Sequence, residues 1–137
     1  MTKRLNLHID ETGTQDLSEG LYLVAVVLHD HSEDVMTPIE DYEDYLAVAG
    51  LRDVPFHGKD LLHGNEGYRS VSACDRKRLL TQFARLVRKL PFRYFVLRYD
   101  ISSTHNRNEL EARIRRDLAT LIYEHLDFFQ AYDTISI

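Results

Sequence analysis

Leu5-Asn6-Leu7-His8-Ile9-Asp10-Glu11-Thr12-Gly13-Thr14, followed by the apolar run LYLVAVVL at residues 21–28, decides how this chain is read. Leu5, Leu7 and Ile9 alternate with Asn6, His8 and Asp10, the period of two that marks a half-buried strand. The turn-forming types from Asp10 to Thr14 predict its end. Residues 21–28 are apolar on both faces and valine-rich, which predicts a buried strand returning beside the first.

Outward from this pair, strands alternate with amphipathic helices. Thr37-Pro38-Ile39-Glu40 predicts a helix start, with threonine as cap and glutamate closing a capping box. Ile39, Tyr42, Leu46 and Ala49 form its stripe, and Gly50 its stop. A short extended piece around Val54-Pro55-Phe56 is read as a strand, and His57-Gly58-Lys59-Asp60 as a loop. Ser72 caps a second helix striped by Leu79, Leu80, Phe83, Leu86, Val87 and Leu90 before Pro91 ends it. Residues 92–101 are aromatic and β-branched, with Phe95, Leu97, Tyr99 and Ile101 on one face and Arg98 and Asp100 on the other. Asn106 opens the longest helix, striped by Leu110, Ile114, Leu118, Leu121, Ile122 and Phe129, and 133–137 begins a last strand. This order predicts one α/β domain over 1–137: a mixed sheet with helices packed on it. The apparent strand stops at Ile137, so a C-terminal truncation is expected.

Composition narrows the classes. With 44% hydrophobic and 28% charged residues, the 137-residue chain is of ordinary globular type, not disordered or fibrous. A single cysteine, Cys74, excludes an internal disulfide framework and suits a cytoplasmic, reducing setting. No apolar run is long enough to span a bilayer, and none follows Lys3-Arg4 as a signal core, so no membrane partner is expected. The net charge of −5 divides into −10 for residues 1–68 (14 acids, 4 bases) and +5 for 69–137 (8 acids, 13 bases). The acidic half can supply metal-binding carboxylates and the basic half can meet a polyanion such as nucleic acid. Solvated helix faces that happen to differ in sign explain the same numbers.

Three clusters could carry chemistry. Asp10 and Glu11 at a strand end are of the type that holds Mg²⁺ or Mn²⁺ for hydrolysis, although Asp and Gly also favour plain turns. Asp100 would lie at the same sheet edge if its strand runs parallel to the first; an ion pair with Arg98 is the competing explanation. His57, Lys59 and Asp60 combine a phosphate-binding, a proton-moving and an acidic group in one short string. His29 and His31, two apart, could share a metal or simply end a strand, and Arg76, Lys77, Arg78, Arg85, Arg88 and Lys89 make one helix basic.

Ile9-Asp10-Glu11-Thr12-Gly13, the strand Tyr22-Leu23-Val24-Ala25-Val26-Val27, Phe56-His57-Gly58-Lys59-Asp60-Leu61, the strand through Asp100 and Tyr132-Asp133-Thr134-Ile135-Ser136-Ile137 occur in an order that resembles the bacterial domain of unknown function 3800 family. The resemblance implies a ribonuclease H-like fold, with the helix at 38–49 as an insertion after the second strand. It also implies a Mg²⁺- or Mn²⁺-dependent nuclease-type site: Asp10 as central ligand, Glu11 and Asp100 as further ligands, and His57, Lys59 and Asp60 as neighbouring site residues. The family's further C-terminal acids are missing from this sequence, which raises the alternative of a non-catalytic nucleic-acid- or protein-binding module. An unpaired strand at 133–137 would also allow a homodimer.

Overall fold

The computed structural model describes residues 1–12 and 20–137. Its elements are β1 (Arg4–Thr12), β2 (Leu21–Asp30), α1 (Met36–Ala49), α2 (Gly58–His63), α3 (Ala73–Lys89), β3 (Arg93–Asp100), α4 (Arg107–Glu124), α5 (Leu126–Gln130) and β4 (Thr134–Ser136), with single 3₁₀ turns at Glu66–Tyr68 and Ile101–Ser103. Contacts divide them into two compact units, Met1–Glu33 with Phe92–Ile137, and Asp34–Pro91. The chain is thus α/β, with one four-stranded mixed sheet in the order β3-β2-β1-β4.

In the sheet unit β1 pairs antiparallel with β2 and β2 antiparallel with β3, while β4 lies parallel to β1. The register sets the faces, because directly paired residues share a side of the sheet. Leu5 and Leu7 of β1 meet Val24, Val26 and Leu28 of β2 and the inward residues of β3, and α4 and α5 supply Leu110, Leu121 and Phe129 to cover them. Arg93 lies over the Phe128 ring, 4.7 Å from its centroid, so its charge caps this core without entering it. The opposite face is solvated at its margins: Tyr94 is 67% and Val96 55% exposed.

The helical unit has its own core of Leu46, Leu61, Tyr68 and Leu79, with Tyr42, Phe56 and Val71 against it. Phe56 and Phe83 stack face to face, 3.7 Å between centroids. Ser72 caps α3 as expected, its Oγ accepting the Asp75 N–H at 3.1 Å. Gly50 ends α1 in the left-handed region at φ 65°, and Asn106 caps α4 by accepting the Glu109 N–H at 2.9 Å.

Several expectations need correction. β1 runs on to Thr12, because β2 begins early enough to pair Asp10 with Ala25 and Glu11 with Val24; these acids lie inside a strand, not in a turn. Gly13 and Thr14 lie outside the described residues. No strand forms at Val54-Pro55-Phe56: Pro55 has no N–H, and the Tyr68 hydroxyl takes the backbone partners there, donating to the Pro55 carbonyl at 3.2 Å and accepting the His57 N–H at 3.3 Å. Helix α1 starts one residue before Thr37, since Asp34 accepts the Met36 and Thr37 N–H groups and does the capping instead. His57 to Asp60 form the start of α2, not a loop. The stripe to Phe129 is broken at His125, whose ψ of 27° lets the chain turn into α5. What separates β2 from β3 is the whole of Asp34–Pro91, not one helix.

Leu28, 2% exposed at the centre of the sheet core, provides a check on this packing. Leu28→Ala is expected to lower unfolding free energy by about 2–5 kcal/mol in urea denaturation. A loss under about 1 kcal/mol would mean the site is not the close-packed centre described.

Candidate functional site

The sheet unit holds Asp10, Glu11 and Asp100; the helical unit holds His57, Lys59 and Asp60. Because β3 and β1 both run antiparallel to β2, they point the same way, and Asp10 and Asp100 occupy the same face towards the same end of the sheet. They do not converge. Asp10 is opposite Ala25 and Asp100 opposite Leu21, four residues along β2 and on the strands either side of it. At roughly 3.3 Å per residue and 4.8 Å per strand, that is about 13 Å along and about 10 Å across. Glu11 is on the other face, paired with Val24.

Each carboxylate has its own employment. Asp10 Oδ1 accepts the Glu11 N–H at 2.9 Å, and the side chain is exposed. Glu11 receives the Tyr22 hydroxyl; burial first, and then this hydrogen bond and the carboxylate charge, push the Tyr22 phenol up to about 12. Asp100 Oδ1 accepts both the Ser102 hydroxyl, 2.6 Å, and the Ser102 N–H, 3.0 Å, and so caps the 3₁₀ turn after β3. These bonds hold its carboxyl below the usual range, with the Arg98 charge contributing least. The Arg98 ion pair expected as the alternative is therefore secondary to a local cap.

A Mg²⁺ ion sits about 2.1 Å from each oxygen ligand. Asp10, Glu11 and Asp100, on two faces and many ångströms apart, do not fit one such ion or a close pair of ions. Among the described residues no group of three or more His, Cys, Asp or Glu side chains is arranged to hold a metal. In the helical unit, His57 Nδ1 lies 2.9 Å from Asp60 Oδ2. His57 is the N-cap and Asp60 the third residue of α2, so this contact closes the first turn of the helix. Lys59 between them is exposed.

The pair His29 and His31, noted in the sequence, gains Phe92 as a third member in the fold. His29 and His31 stack with ring centroids 5.2 Å apart and planes at 14°, and Phe92 packs on His29 at 5.2 Å. Stacked faces do not aim two ring nitrogens at one ion, so the shared metal suggested by their spacing is not what brings them together. His29 Nε2 is buried without a hydrogen-bond partner. Burial, then the charges of His31 and His8, hold the His29 imidazole below its ordinary range; Asp30 opposes them weakly. The i, i+2 spacing was visible, but Phe92 comes from 61 positions further on (92 minus 31) and no local pattern announces it.

The sheet's solvated face also gathers residues that no single motif joins. The pairs His8–Val27–Tyr94, Asp10–Ala25–Val96 and Thr12–Leu23–Arg98 form three rows across β1, β2 and β3. Their β2 members are apolar, the apolar surface continues to Tyr94 and Val96 on the edge strand β3, and Asp10 and Arg98 flank it with charge. Comparison with protein-family models, curated proteins and solved structures finds no match to this chain.

His29 gives a pH test with a defined sign. Its folded imidazole binds protons less readily than the unfolded one, so its contribution is present above about pH 6.5 and is lost as pH falls through that value. The urea midpoint of the wild type should fall between pH 7.5 and 5.5 by more than that of His29→Phe. Parallel pH profiles for the two proteins would show that His29 is not the group responsible.

Proposed function

We propose that this chain is a non-catalytic protein-binding module on a ribonuclease H-like sheet, and that the solvated sheet face is its docking surface. The observation that carries this is the apolar centre of that face, where Leu23, Ala25 and Val27 lie beside the exposed Tyr94 and Val96. An apolar patch that includes an exposed aromatic residue and is flanked by charges has the composition of a protein interface. Arg4 and Arg98 on this face are balanced by Asp10 and Asp100, so a polyanion gains no net attraction there. The ribonuclease H-like reading is supported by the connectivity: three antiparallel strands, a helical crossing over one face, and a fourth strand parallel to the first. No helix among the described residues is long and apolar enough to cross a membrane, and the exposed Cys74 thiol fits a cytoplasmic setting.

A metal-dependent nuclease is the second reading. It is favoured by the exposed Asp10 at the carboxyl end of β1, with Asp100 on the same face and at the same end. It needs further carboxylates beside Asp10, which Glu11 and Asp100 do not provide.

Mn²⁺ titration by calorimetry of wild type and Asp10→Asn separates the two. The module predicts no micromolar binding that depends on Asp10; binding lost in the variant moves the assignment to the nuclease. The docking face is tested by Val96→Glu, once a captured partner has been purified. Affinity should fall at least about tenfold, equivalent to about 1.4 kcal/mol. Equal affinity for wild type and variant would remove the sheet face as the binding surface.

A further inference from the structure

The sheet ends on two edges of unequal kind, β4 on one side and β3 on the other. β4 is three residues long and offers little backbone to another strand. β3 runs for eight residues without proline or glycine, and its register on β2 is unbroken from Arg93 to Asp100, so no bulge turns its far side away. The hydrogen bonds fix which of its groups face outward. Ile101 donates its N–H to the Gly20 carbonyl at 3.2 Å, one step beyond the Leu21–Asp100 pair. Bonded and non-bonded pairs alternate along an antiparallel ladder, so Tyr99, Leu97, Phe95 and Arg93 turn their N–H and C=O groups to β2. Tyr94, Val96 and Arg98 turn theirs to the open edge. On the other side of β2, the His31 N–H donates to the Arg4 carbonyl at 3.0 Å, which is the matching phase.

Among the described residues, the outward N–H and C=O groups of Tyr94, Val96 and Arg98 have no partner in the chain. The same three residues carry their side chains on the solvated face, Tyr94 and Val96 with more than half their surface open and Arg98 exposed. Backbone groups that recognise an extended chain thus lie directly beside two apolar side chains and a guanidinium. Charge selects the occupant. Arg98 makes no ion pair among the described residues, because Asp100, two positions on, spends its Oδ1 on Ser102. Joining β3 to β3 of a second copy, Val96 on Val96, would set Arg98 opposite Tyr94 and leave it without an acid. A partner segment can place a carboxylate there and form a charge-assisted hydrogen bond.

We infer that an extended segment of a partner protein adds to the free edge of β3 as a further, antiparallel strand, with the pattern acid–x–apolar–x–apolar from its N-terminal side. The acid lies opposite Arg98 and the apolar residues opposite Val96 and Tyr94, while the residues between them point to the other face. The backbone groups of those three partner residues close the ladder with Arg98, Val96 and Tyr94. This rests on the protein-binding reading above and names the kind of partner the sheet face takes and how it is held.

The probe is the capped peptide acetyl-Ser-Glu-Thr-Val-Thr-Phe-Ser-amide, titrated into the full chain by calorimetry and by NMR of the protein amides. It should bind with a Kd below about 1 mM and shift the Tyr94, Val96 and Arg98 amides most. Methylating the peptide's valine nitrogen, which faces β3, should weaken binding at least about tenfold, whereas methylating the first threonine nitrogen, which faces away, should change it less than about twofold. Lysine in place of the peptide's glutamate should weaken it at least about threefold. Val96→Pro removes an outward N–H and none that β2 uses, so it should stay folded by circular dichroism and bind at least about tenfold more weakly. If that variant is unfolded, the two methylated peptides decide on the wild type. No binding of the parent peptide, or the same affinity for both methylated forms, would overturn strand addition. So would a wild type that self-associates in sedimentation velocity when Val96→Pro does not, since a second copy then holds the edge. The sheet-face reading fails separately, through unchanged peptide affinity in Val96→Glu.

Discussion

The antiparallel register of β1 on β2, with Leu7 opposite Leu28, is the constraint from which the rest of the sheet unit follows. A strand has only two sides, so placing Leu5 and Leu7 under α4 and α5 sends their even-numbered neighbours to the other face. Neighbouring carboxylates are thereby divided: Asp10 goes to the solvated face, and Glu11 to the side of Tyr22. Any shift by one residue that brought Glu11 to the solvated face would expose the leucines that hold the sheet to its helices. The burial of three or four apolar side chains, each favourable by about 1.5–3 kcal/mol, far outweighs the preference of two exposed acids for one position.

Much of this was legible from the chain itself. Period-two alternation in 5–10 and 93–100, and three-four spacing in 79–90 and 110–121, located two strands and two helices, because those patterns report directly which side is buried. Ser72, Gly50 and Asn106 marked helix ends through local hydrogen bonding or backbone conformation, which needs no distant partner. The errors arose where another group took over the backbone partners. Tyr68 supplies the backbone partners at Pro55 and His57 that a neighbouring strand would have supplied. Asp34 outcompetes Thr37 because it lies two residues ahead of the helix and reaches two N–H groups at once.

The predicted site was legible only as a set of residue types. Aspartate at a strand end has the same letters whether it binds an ion, caps a turn or faces water. Asp100 shows the difference, since its oxygen is satisfied by Ser102 two positions later. His57 and Asp60 likewise look like loop residues of a site in the sequence and serve as a helix start in the fold. By contrast, the grouping of Leu23, Ala25, Val27, Tyr94 and Val96 depends on pairing two strands separated by 62 residues (93 minus 30, less one). Their common surface exists only after the sheet has formed.

The parallel pairing of β1 with β4 has a mechanical meaning. Arg4, Leu5 and Asn6 lie beside Thr134, Ile135 and Ser136, so one strand is entered from the start of the chain and its neighbour leads to the end. Tension drawn through the two flanking segments pulls these strands along their length in opposite directions. The inter-strand hydrogen bonds are then loaded together, in shear, and must fail as a group; an antiparallel arrangement would let them open one after another from the pulled end. Beside them, the Tyr132 hydroxyl bonded to Asp30 at 2.9 Å ties the segment leading into β4 to the far end of β2, adding a crosswise anchor to a short ladder.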